Sequence, residues 1–206
     1  TAATSPVTAA GQSIARFNGK RGNINCHQAT AANQPVYQSS GGVAYGDFDG
    51  TNDSLASAAY PINQPLYYAA ACRFDVASGT QAVAAGGSGS YSAQMFMDVN
   101  AGTNYLRLYA GASPLDWGKY ATAATDAVIS GDFNGASSVI RLDGVAGSTQ
   151  NAGTLGIDLL RMGCDWAGGS FLNGRIHALI VLNRLPDASE RASILTWLGA
   201  KQGRTL

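Results

Sequence analysis

The sequence predicts an all-β fold, an antiparallel two-sheet β-sandwich with one short C-terminal α-helix. About ten short apolar segments recur roughly every ten residues between turn formers, a spacing typical of sandwiches and barrels. Residues 66–76 alternate between two faces with a two-residue period, as a strand does. Asp143-Gly144 separates two apolar runs and predicts a two-residue hairpin turn.

The chain of 206 residues is long enough for one domain with a substantial core. Residues 1–12 are rich in Thr and Ala, contain one Pro and show no period, which predicts an N-terminal arm or linker. Residues 13–206 form the predicted sandwich domain, which starts with a short strand at 13–17. Because the sequence starts without Met, we expect that a leader or an upstream domain has been removed.

Residues 45–55 predict a tight corner between two strand segments, with Phe48 and Leu55 directed into the core. Gly accepts positive φ, and Asn and Asp side chains bond back to the nearby backbone. Asn52 and Asp53 either cap this turn or, together with a loop carbonyl, provide oxygens for a calcium ion. Turn chemistry accounts for these residue types and no D-x-D-x-D cluster is present, so capping is favoured.

One strand and one hairpin are predicted after this corner. In residues 66–76 one face carries Ala69 and Ala71 beside Tyr67. The small side chains of these alanines predict that another element packs closely there. Residues 93–99 and 105–109 predict a hairpin about a turn at 100–103.

The C-terminal part combines strands with the predicted helix. Residues 127–133 and 159–162 predict short strands, and the apolar run 175–183 predicts a strand buried on both faces near the centre of a sheet. Asp187 and Glu190 make a D-x-x-E helix-capping pair. The apolar stripe of the helix comprises Ile194, Leu195, Trp197 and Leu198, and Trp197 is predicted to pack against the sheet.

Charge and apolar content argue against two classes of partner. With 13 basic and 13 acidic residues the formal net charge is zero, so neither nucleic acid nor an anionic membrane is expected. The longest apolar runs are far shorter than the roughly 20 residues that span a bilayer, so no membrane insertion is expected. Charged residues make up only 13%, which suits packing against neighbouring chains, including copies of this chain.

The three cysteines, Cys26, Cys72 and Cys164, form no C-x-x-C pair, so neither a disulfide scaffold nor a zinc site is expected. Cys72 falls on the apolar side of its strand, which predicts a small buried core residue. A single bridge between Cys26 and a partner cysteine stays open.

Three segments resemble the concanavalin A-like lectin/glucanase superfamily in its laminin G-like branch, particularly the modules of phage virion proteins and secreted bacterial proteins. Residues 28–37 (QATAANQPVY) resemble the lead-in of the family, and residues 48–53 (FDGTND) resemble its FDGxND corner. Residues 171–185 with the following helix resemble its C-terminal pattern fxGxIxEixiynRxLsxxE. The resemblance implies a two-sheet jelly roll, often with carbohydrate or protein binding at a rim or concave face, and sometimes with calcium.

The chain departs from this family pattern in two places. Ala178, beside His177, stands where the family often has an acidic residue, and the Trp-Asp-Ser-Gly-Asn-Gly type of turn is degraded in residues 17–23. The resemblance therefore does not fix a ligand, since a fold does not decide function.

The sequence argues against catalysis. A glycosidase needs two carboxylates about 5 Å apart for retention and wider for inversion. The single Glu, Glu190, is assigned to the helix cap. An Asp pair stays open, although Asp47 and Asp49, which have i, i+2 spacing, stand at the turn. His177 lies in an apolar strand and is interpreted as a structural residue, and no G-x-S-x-G motif is present.

Two loop-like stretches combine aromatic rings with carboxylates and predict a glycan-binding site. Ring faces can stack on apolar sugar faces while polar groups bind the sugar edges. The alternative is that both tryptophans cover sheet ends. The predicted ligand-binding residues are Asp116, Trp117, Tyr120, Asp165 and Trp166.

These observations and the family resemblance favour a non-catalytic surface module at the surface of a virion, as a capsid-decoration, fibre or tail protein. Its expected partners are capsid or tail subunits and cell-surface glycans, and no cofactor other than calcium is expected. The rival hypothesis is a secreted polysaccharide-active enzyme or its carbohydrate-binding module. A third is an assembly protein whose ligand is a capsid or tail subunit.

Overall fold

The computed structural model describes residues 6–20, 24–76, 78–87, 92–100, 103–112 and 117–206, and it contains two seven-stranded sheets and one helix. The elements are β1 (Arg16–Asn18), β2 (Asn25–His27), β3 (Val36–Ser40), β4 (Val43–Asp49), β5 (Leu55–Ser57), β6 (Leu66–Phe74), β7 (Gln81–Gly86), β8 (Gln94–Asn100), β9 (Thr103–Tyr109), β10 (Ala127–Phe133), β11 (Ser138–Leu142), β12 (Val145–Gln150), β13 (Leu160–Met162), β14 (Asn173–Leu182) and α1 (Ala188–Ala200).

The two sheets form an antiparallel sandwich, which confirms the all-β jelly-roll prediction. One sheet has the order β12-β11-β10-β6-β14-β4-β3, and the other has the order β1-β2-β5-β13-β7-β8-β9. The core lies between them, and full burial of one large apolar side chain there contributes about 1.5–3 kcal/mol. Its largest fully buried side chains include Trp117, Tyr68, Phe48, Phe133, Leu55 and Leu66.

Strand β6 is buried on both of its faces. Tyr68, Ala70 and Cys72 point into the core between the sheets, whereas the Tyr67, Ala69 and Ala71 face packs against α1. The prediction that small side chains mark a second packing face is therefore confirmed. The prediction that residues 175–183 are buried on both faces near the centre of a sheet is confirmed in part: Leu179 packs on the core side and Ile180 on the helix side, but most residues of β14 are only half-buried.

Helix α1 begins with the predicted cap. The Asp187 carboxylate accepts the Glu190 N–H at 2.8 Å, and the Glu190 carboxylate accepts the Asp187 N–H at 3.1 Å. The prediction that Trp197 packs against the sheet is wrong, since Trp197 is 42% exposed and the Lys201 ammonium lies 4.8 Å from its ring centre. Leu195 and Trp197 are about 160° apart around a helix, so both cannot face the sheet that buries Leu198.

The predicted hairpins are both present. Asp143 (φ 47°) and Gly144 (φ 80°) lie in the left-handed region that a tight two-residue turn requires, and they join β11 to β12. Strands β8 and β9 pair from Gln94 with Tyr109 to Asn100 with Thr103, and residues 101–102 between them lie outside the described residues.

Segments that cross between the sheets cover both sides of the sandwich. On one side the Gly11 N–H donates to the Tyr37 carbonyl at 2.8 Å and the Tyr37 N–H donates to the Gln12 carbonyl at 2.7 Å, before the chain enters β1 of the other sheet. The last two residues of the predicted arm therefore pair with edge strand β3. Such pairing removes exposed edge groups that would otherwise recruit other strands.

On the opposite side the segment 117–121 pairs with the edge strands of both sheets. The Ser148 N–H on β12 donates to the Trp117 carbonyl at 3.0 Å, and the Leu106 N–H on β9 donates to the Lys119 carbonyl at 2.8 Å. The segment therefore joins the two sheets, and its tryptophan fills the gap between them.

The three cysteines are buried free thiols, as predicted for Cys72, which is 0% exposed. Burial raises the pKa of the Cys26 thiol to about 12, so it stays protonated at neutral pH. In the part of the chain that the structure describes, the helix falls short of the length and apolarity needed to cross a membrane.

Candidate functional site

The corner at residues 45–55 is a hydrogen-bonded turn. Phe48 and Leu55 are buried as predicted, at 2% and 0% exposure. The Asp53 carboxylate accepts the Asp49 N–H at 3.0 Å, and the Asp49 carboxylate accepts the N–H groups of Thr51 at 2.7 Å and Asn52 at 3.2 Å. The carboxylates of Asp49 and Asp53 therefore bind the backbone of the turn.

The corner fits a capped turn better than the predicted calcium site at Asn52 and Asp53. Asp53 is 4% exposed and one of its oxygens is already hydrogen-bonded. The Asn52 Oδ1 atom is buried without a hydrogen-bond partner. Among the residues described, no three His, Cys, Asp or Glu side chains are placed to hold one metal ion. Calcium binds six to eight oxygens, some of which can come from backbone carbonyls and water, so the calcium site at Asn52 and Asp53 stays a prediction.

An open pocket of about 290 Å³ beside the corner gathers four aspartates, Asp47, Asp49, Asp53 and Asp75. Asp75 forms ion pairs with Arg73 and with Arg175. Because Asp49 and Asp53 bind backbone N–H groups, Asp47 is the carboxylate of this set that makes no hydrogen bond to the described chain. This convergence was not expected from the sequence, which places Asp47 and Asp49 at a turn.

The charge state of Asp47 is set by opposing effects. Burial raises its pKa above the ordinary aspartate value, the nearby Arg175 guanidinium lowers it, and the Asp75 carboxylate raises it again. A carboxyl group with a raised pKa beside an ion-paired one is a pattern used in acid–base catalysis. It is also a common result of crowding several carboxylates at a sheet surface.

The structure removes Trp117 from the predicted glycan-binding set. Its side chain is 1% exposed inside the core, so neither ring face is available to a sugar. This agrees with the alternative interpretation, that the tryptophan covers a sheet end. Asp116 lies outside the described residues. Tyr120 is 44% exposed, as a ring that stacks on a ligand must be.

Tyr120 belongs to a cluster that the sequence does not bring together. Its ring centre lies 5.4 Å from that of Tyr105 on β9, with the planes tilted by 59°. The Arg107 guanidinium carbon lies 5.1 Å from the Tyr105 ring centre, and Arg107 Nε lies 3.4 Å from Asp98 Oδ2 on β8. Thr80 Oγ1 donates to Asp98 at 2.9 Å. We call Asp98, Tyr105, Arg107 and Tyr120 the tyrosine cluster.

The alternation of β9 contains the signal for this cluster. Leu106 and Leu108 point into the core, which leaves Tyr105 and Arg107 together on the outer face. Asp98 lies opposite Tyr105 in the β8–β9 register. Tyr120 reaches the same place through a backbone bridge with Tyr105, and that contact cannot be read from periodicity.

Asp165 organises the second predicted loop. Its carboxylate accepts the N–H groups of Ala167 and Gly169, at 2.9 and 2.8 Å, and the Ser170 hydroxyl at 2.7 Å. Trp166, at the start of this loop, is half-buried. Asp165 therefore shapes the loop rather than presenting a free carboxylate to a ligand.

The Asp165 loop and the tyrosine cluster lie at the same end of the sandwich. The Ala82 N–H on β7 donates to the Ser170 carbonyl at 2.8 Å, and Ala82 lies opposite Phe96 on β8. Strand β9 is the next strand along, so three strand spacings, about 14 Å, separate the loop from Tyr105, and Tyr120 lies one strand further. Tyr120 and the loop that contains Trp166 therefore lie on the rim at one end of this sheet but far apart along it.

His177 is a buried residue away from this rim. Its side chain is 4% exposed, and its ring centre lies 5.2 Å from that of Tyr45. Its closest charged neighbour is Asp126, with 3.7 Å between Nε2 and Oδ1. Burial lowers the histidine pKa, while Asp126 opposes that shift. The side chain is buried, as the sequence predicts for a structural residue, but neither ring nitrogen makes a hydrogen bond to the described residues, so a hydrogen-bonded structural histidine is not confirmed.

No protein-family model and no curated protein sequence matches the chain. Solved structures match at the level of the fold. A heptameric SAP-like pentraxin from Limulus polyphemus is 14% identical, with a TM-score of 0.56, and the match covers 72% of this chain and 80% of the pentraxin.

A second match is a mutant Trypanosoma rangeli sialidase that displays trans-sialidase activity, 13% identical, with a TM-score of 0.60. It covers 96% of this chain, which spans only 33% of that sialidase. A receptor binding domain is 8% identical, with a TM-score of 0.55, and the match covers 90% of this chain and 51% of that one. At these identities the likeness shows the β-sandwich fold alone.

Proposed function

We propose that this chain is a non-catalytic binding module that recognises glycans through the tyrosine cluster. The observation that carries the proposal is the exposed Tyr120 ring packed beside Tyr105, with Arg107 and Asp98 next to them on the same face. The fold-level likeness to a receptor binding domain, and to a sialidase that was crystallised with sialic acid, is compatible with such a role.

The chemistry of the cluster suits a sugar ring. Aromatic faces bind the apolar faces of sugars, and charged groups at their edges bind hydroxyl groups. The exposed Tyr120 ring and the partly exposed Asp98 carboxylate are available to a sugar, whereas Arg107 is buried and positions Tyr105 and Asp98. Tyr105 is held between Arg107 and Tyr120, and such a fixed ring loses little freedom when a ligand binds. Because Asp98, Tyr105 and Arg107 lie on paired strands and Tyr120 is bridged to Tyr105, the cluster is more rigid than a site built on loops alone.

A glycan array followed by titration calorimetry tests the proposal with matched variants. We expect Tyr120→Ala to weaken binding of the best glycan about tenfold or more, since stacking on an aromatic ring typically contributes about 1–3 kcal/mol. Trp197→Ala is the matched control, because Trp197 is similarly exposed but lies on the helix that covers the other sheet. We expect Trp197→Ala to bind as the wild type does.

Equal glycan affinity of Tyr120→Ala and the wild type would show that the glycan site is not at the tyrosine cluster. If the wild type binds no glycan on the array, the remaining function is assembly, in which the ligand is a protein subunit.

Within the proposed function we place the module at the surface of a phage or virus particle, as a decoration, fibre or tail protein. The family resemblance and the low-charge composition support this setting.

A density map of the assembled particle tests that setting. We expect the domain at symmetry-related positions, with the N-terminal residues ordered against a capsid or tail subunit. A chain recovered only from the culture medium, with no particle attached, would favour the alternative of a secreted protein.

The pocket at Asp47 supports a second candidate, a polysaccharide-active enzyme. Its acid–base pair would be Asp47, with its raised pKa, and the ion-paired Asp75. A reducing-sugar release assay on the glycans that the array identifies distinguishes the two functions. Product release that Asp47→Asn abolishes would establish catalysis, whereas binding without release supports the binding module.

A further inference from the structure

A second pocket, of about 250 Å³, lies between α1 and the outer face of the sheet that α1 covers. Strands β6, β10 and β11 form its floor, and the first two turns of the helix form its wall. It is on the other sheet from the tyrosine cluster, so the proposed glycan site does not use it.

Two arginines meet a single carboxylate beside this pocket. Arg141 on β11 donates to Asp132 Oδ2 at 2.8 Å, and Arg191 on α1 donates to Asp132 Oδ1 at 2.6 Å. The side chain of Asp132 is 6% exposed, and those of the two arginines are 19% and 22% exposed. Two positive groups and one negative group leave a net charge of +1 in a largely desolvated place.

Both guanidinium groups have N–H donors that Asp132 does not use. Each has five N–H groups, and for each arginine one nitrogen, Nη1, binds Asp132. Their other nitrogens make no hydrogen bond within the described part of the chain. Arg191 also lies over Tyr67, with its guanidinium carbon 5.3 Å from the ring centre. Arg191 links the helix to β10, whereas β11, which carries Arg141, is already held to β10 by the backbone ladder.

The other charges of this helix end do not neutralise the pocket. Asp187 caps the helix, and Glu190 is paired with Arg184. The first helical residue, Ala188, lines the pocket, but the Asp187 carboxylate caps the same helix end, so the positive charge at the pocket comes from the arginines and not from the helix dipole.

The rest of the lining is apolar except for Ser130. Val128, Ile194 and Leu195 face the pocket beside the aromatic ring of Tyr67. At about 250 Å³ the pocket is slightly smaller than the range of common small-molecule sites, which begins at about 300 Å³. An occupant must therefore be small and carry both an anionic head and an apolar body.

We propose that this pocket binds a small organic carboxylate, whose carboxylate engages Arg141 and Arg191 and whose apolar body lies against Val128, Ile194 and Leu195. Guanidinium groups bind carboxylates through paired hydrogen bonds, which makes the head specific. The apolar wall distinguishes such a ligand from an inorganic anion or a charged sugar.

Methyl NMR with benzoate as the probe tests the proposal. We expect benzoate to shift the Val128, Ile194 and Leu195 methyl signals saturably, with a Kd of about millimolar for so small a ligand. Benzamide, its neutral counterpart, should bind about tenfold more weakly or worse. Glucuronate and inorganic phosphate, which lack the apolar body, should produce smaller shifts at equal concentration.

Charge-matched variants complete the test. Arg141→Gln should weaken benzoate binding about tenfold, and Arg141→Lys should weaken it less, because lysine keeps the charge but loses the fork. Arg16→Gln makes the same change in net charge on exposed edge strand β1 of the other sheet and should bind as the wild type does. Equal binding of benzamide and benzoate, tighter binding of glucuronate, an equal loss in Arg16→Gln, or the absence of methyl shifts would each overturn the proposal.

Discussion

At the scale of single residues, the corner at residues 45–55 shows how side-chain carboxylates can accept backbone N–H groups that have no carbonyl partner. Asp49 and Asp53 between them accept three backbone N–H groups that the turn leaves unpaired. Gly50 at φ 76° completes the turn, and a Cβ there would lie 2.7 Å from Asn173 Cβ on the neighbouring strand. The residues that resemble the family corner therefore have a structural explanation that requires no metal.

We expect Asp53→Ala to lower the free energy of unfolding by about 1–3 kcal/mol, because it leaves the Asp49 N–H without its partner. Urea denaturation measures this loss. Thr51→Ala is the control on the same turn, since its exposed side chain makes no hydrogen bond, and it should stay within about 0.5 kcal/mol of the wild type. A rise in the wild-type midpoint on adding calcium, absent in Asp53→Ala, would instead support an ion at the corner.

Asp47 is predicted to make stability depend on pH in the opposite sense to most aspartates. Its pKa in the folded chain is raised above the ordinary value of 3.8, chiefly by burial. The stability it contributes is present below that ordinary value and is lost as the pH rises through the folded pKa. We therefore expect Asp47→Asn to be more stable than the wild type at neutral pH and to lose this advantage below pH 3.8.

Asp187 provides the control of opposite sign. The Glu190 N–H and the Ser189 hydroxyl hold its pKa below the ordinary value. Its contribution is present above that value and is lost as the pH falls through the folded pKa. Asp187→Asn should therefore be less stable than the wild type at neutral pH and equal to it in acid. Urea midpoints at several pH values measure both variants, and parallel profiles would contradict the assignments.

At the scale of elements, β6 is the strand on which both layers of packing depend. Its larger side chains fill the space between the sheets, and its alanines let α1 approach the outer face. A short helix has little stability of its own in water, so α1 depends on this contact and on its cap. The sequence indicates both features, since the alternation and the capping pair are local patterns.

We expect Ala71→Leu to destabilise the protein by about 1–3 kcal/mol, because Ala71 is fully buried under the helix and a larger side chain would push the helix outward. Urea denaturation measures the loss, and hydrogen exchange should speed up in α1. Ala146→Leu on exposed edge strand β12 is the control and should change stability by about 0.5 kcal/mol or less. Unchanged exchange in α1 would show that the helix does not depend on this contact.

At the scale of the whole molecule, the segment 117–121 joins the two sheets along one side. Its carbonyl groups pair with edge strands of both sheets, and Trp117 fills the space between them. Strand β12 passes so close to the Trp117 carbonyl that only glycine fits at Gly147. Trp117 therefore acts in the sandwich as a core residue, although its loop-like sequence context predicts a ligand contact.

We expect Trp117→Ala to lower the free energy of unfolding by about 3–5 kcal/mol, the usual cost of emptying a large buried aromatic site. Trp197→Ala, which removes an exposed ring in contact with Lys201, should cost no more than about 1 kcal/mol. Urea denaturation of both variants measures the contrast. Similar losses in the two would contradict the role of Trp117 in joining the sheets.

The candidate sites were predictable only in part. The aromatic, turn-rich surroundings of Tyr120 predict a ligand contact, whereas its proximity to Tyr105, Arg107 and Asp98 depends on which strand lies beside which and cannot be read from local patterns. The same holds for the carboxylates around Asp47, which come from strands distant in sequence. Burial also cannot be read from a single loop, as Trp117 shows.

The sequence by itself determined the local structure of this protein: the strand alternation, the Asp143-Gly144 turn, the capped helix and the close-packed alanine face of β6. These features depend on residues a few positions apart, whose side chains and backbone interact whatever the rest of the chain does. Only the tertiary structure decided which rings and charges meet, as in the tyrosine cluster and at the arginine pocket. Such contacts depend on strand order and on crossing segments, since antiparallel neighbours with the same local pattern can be paired in many orders.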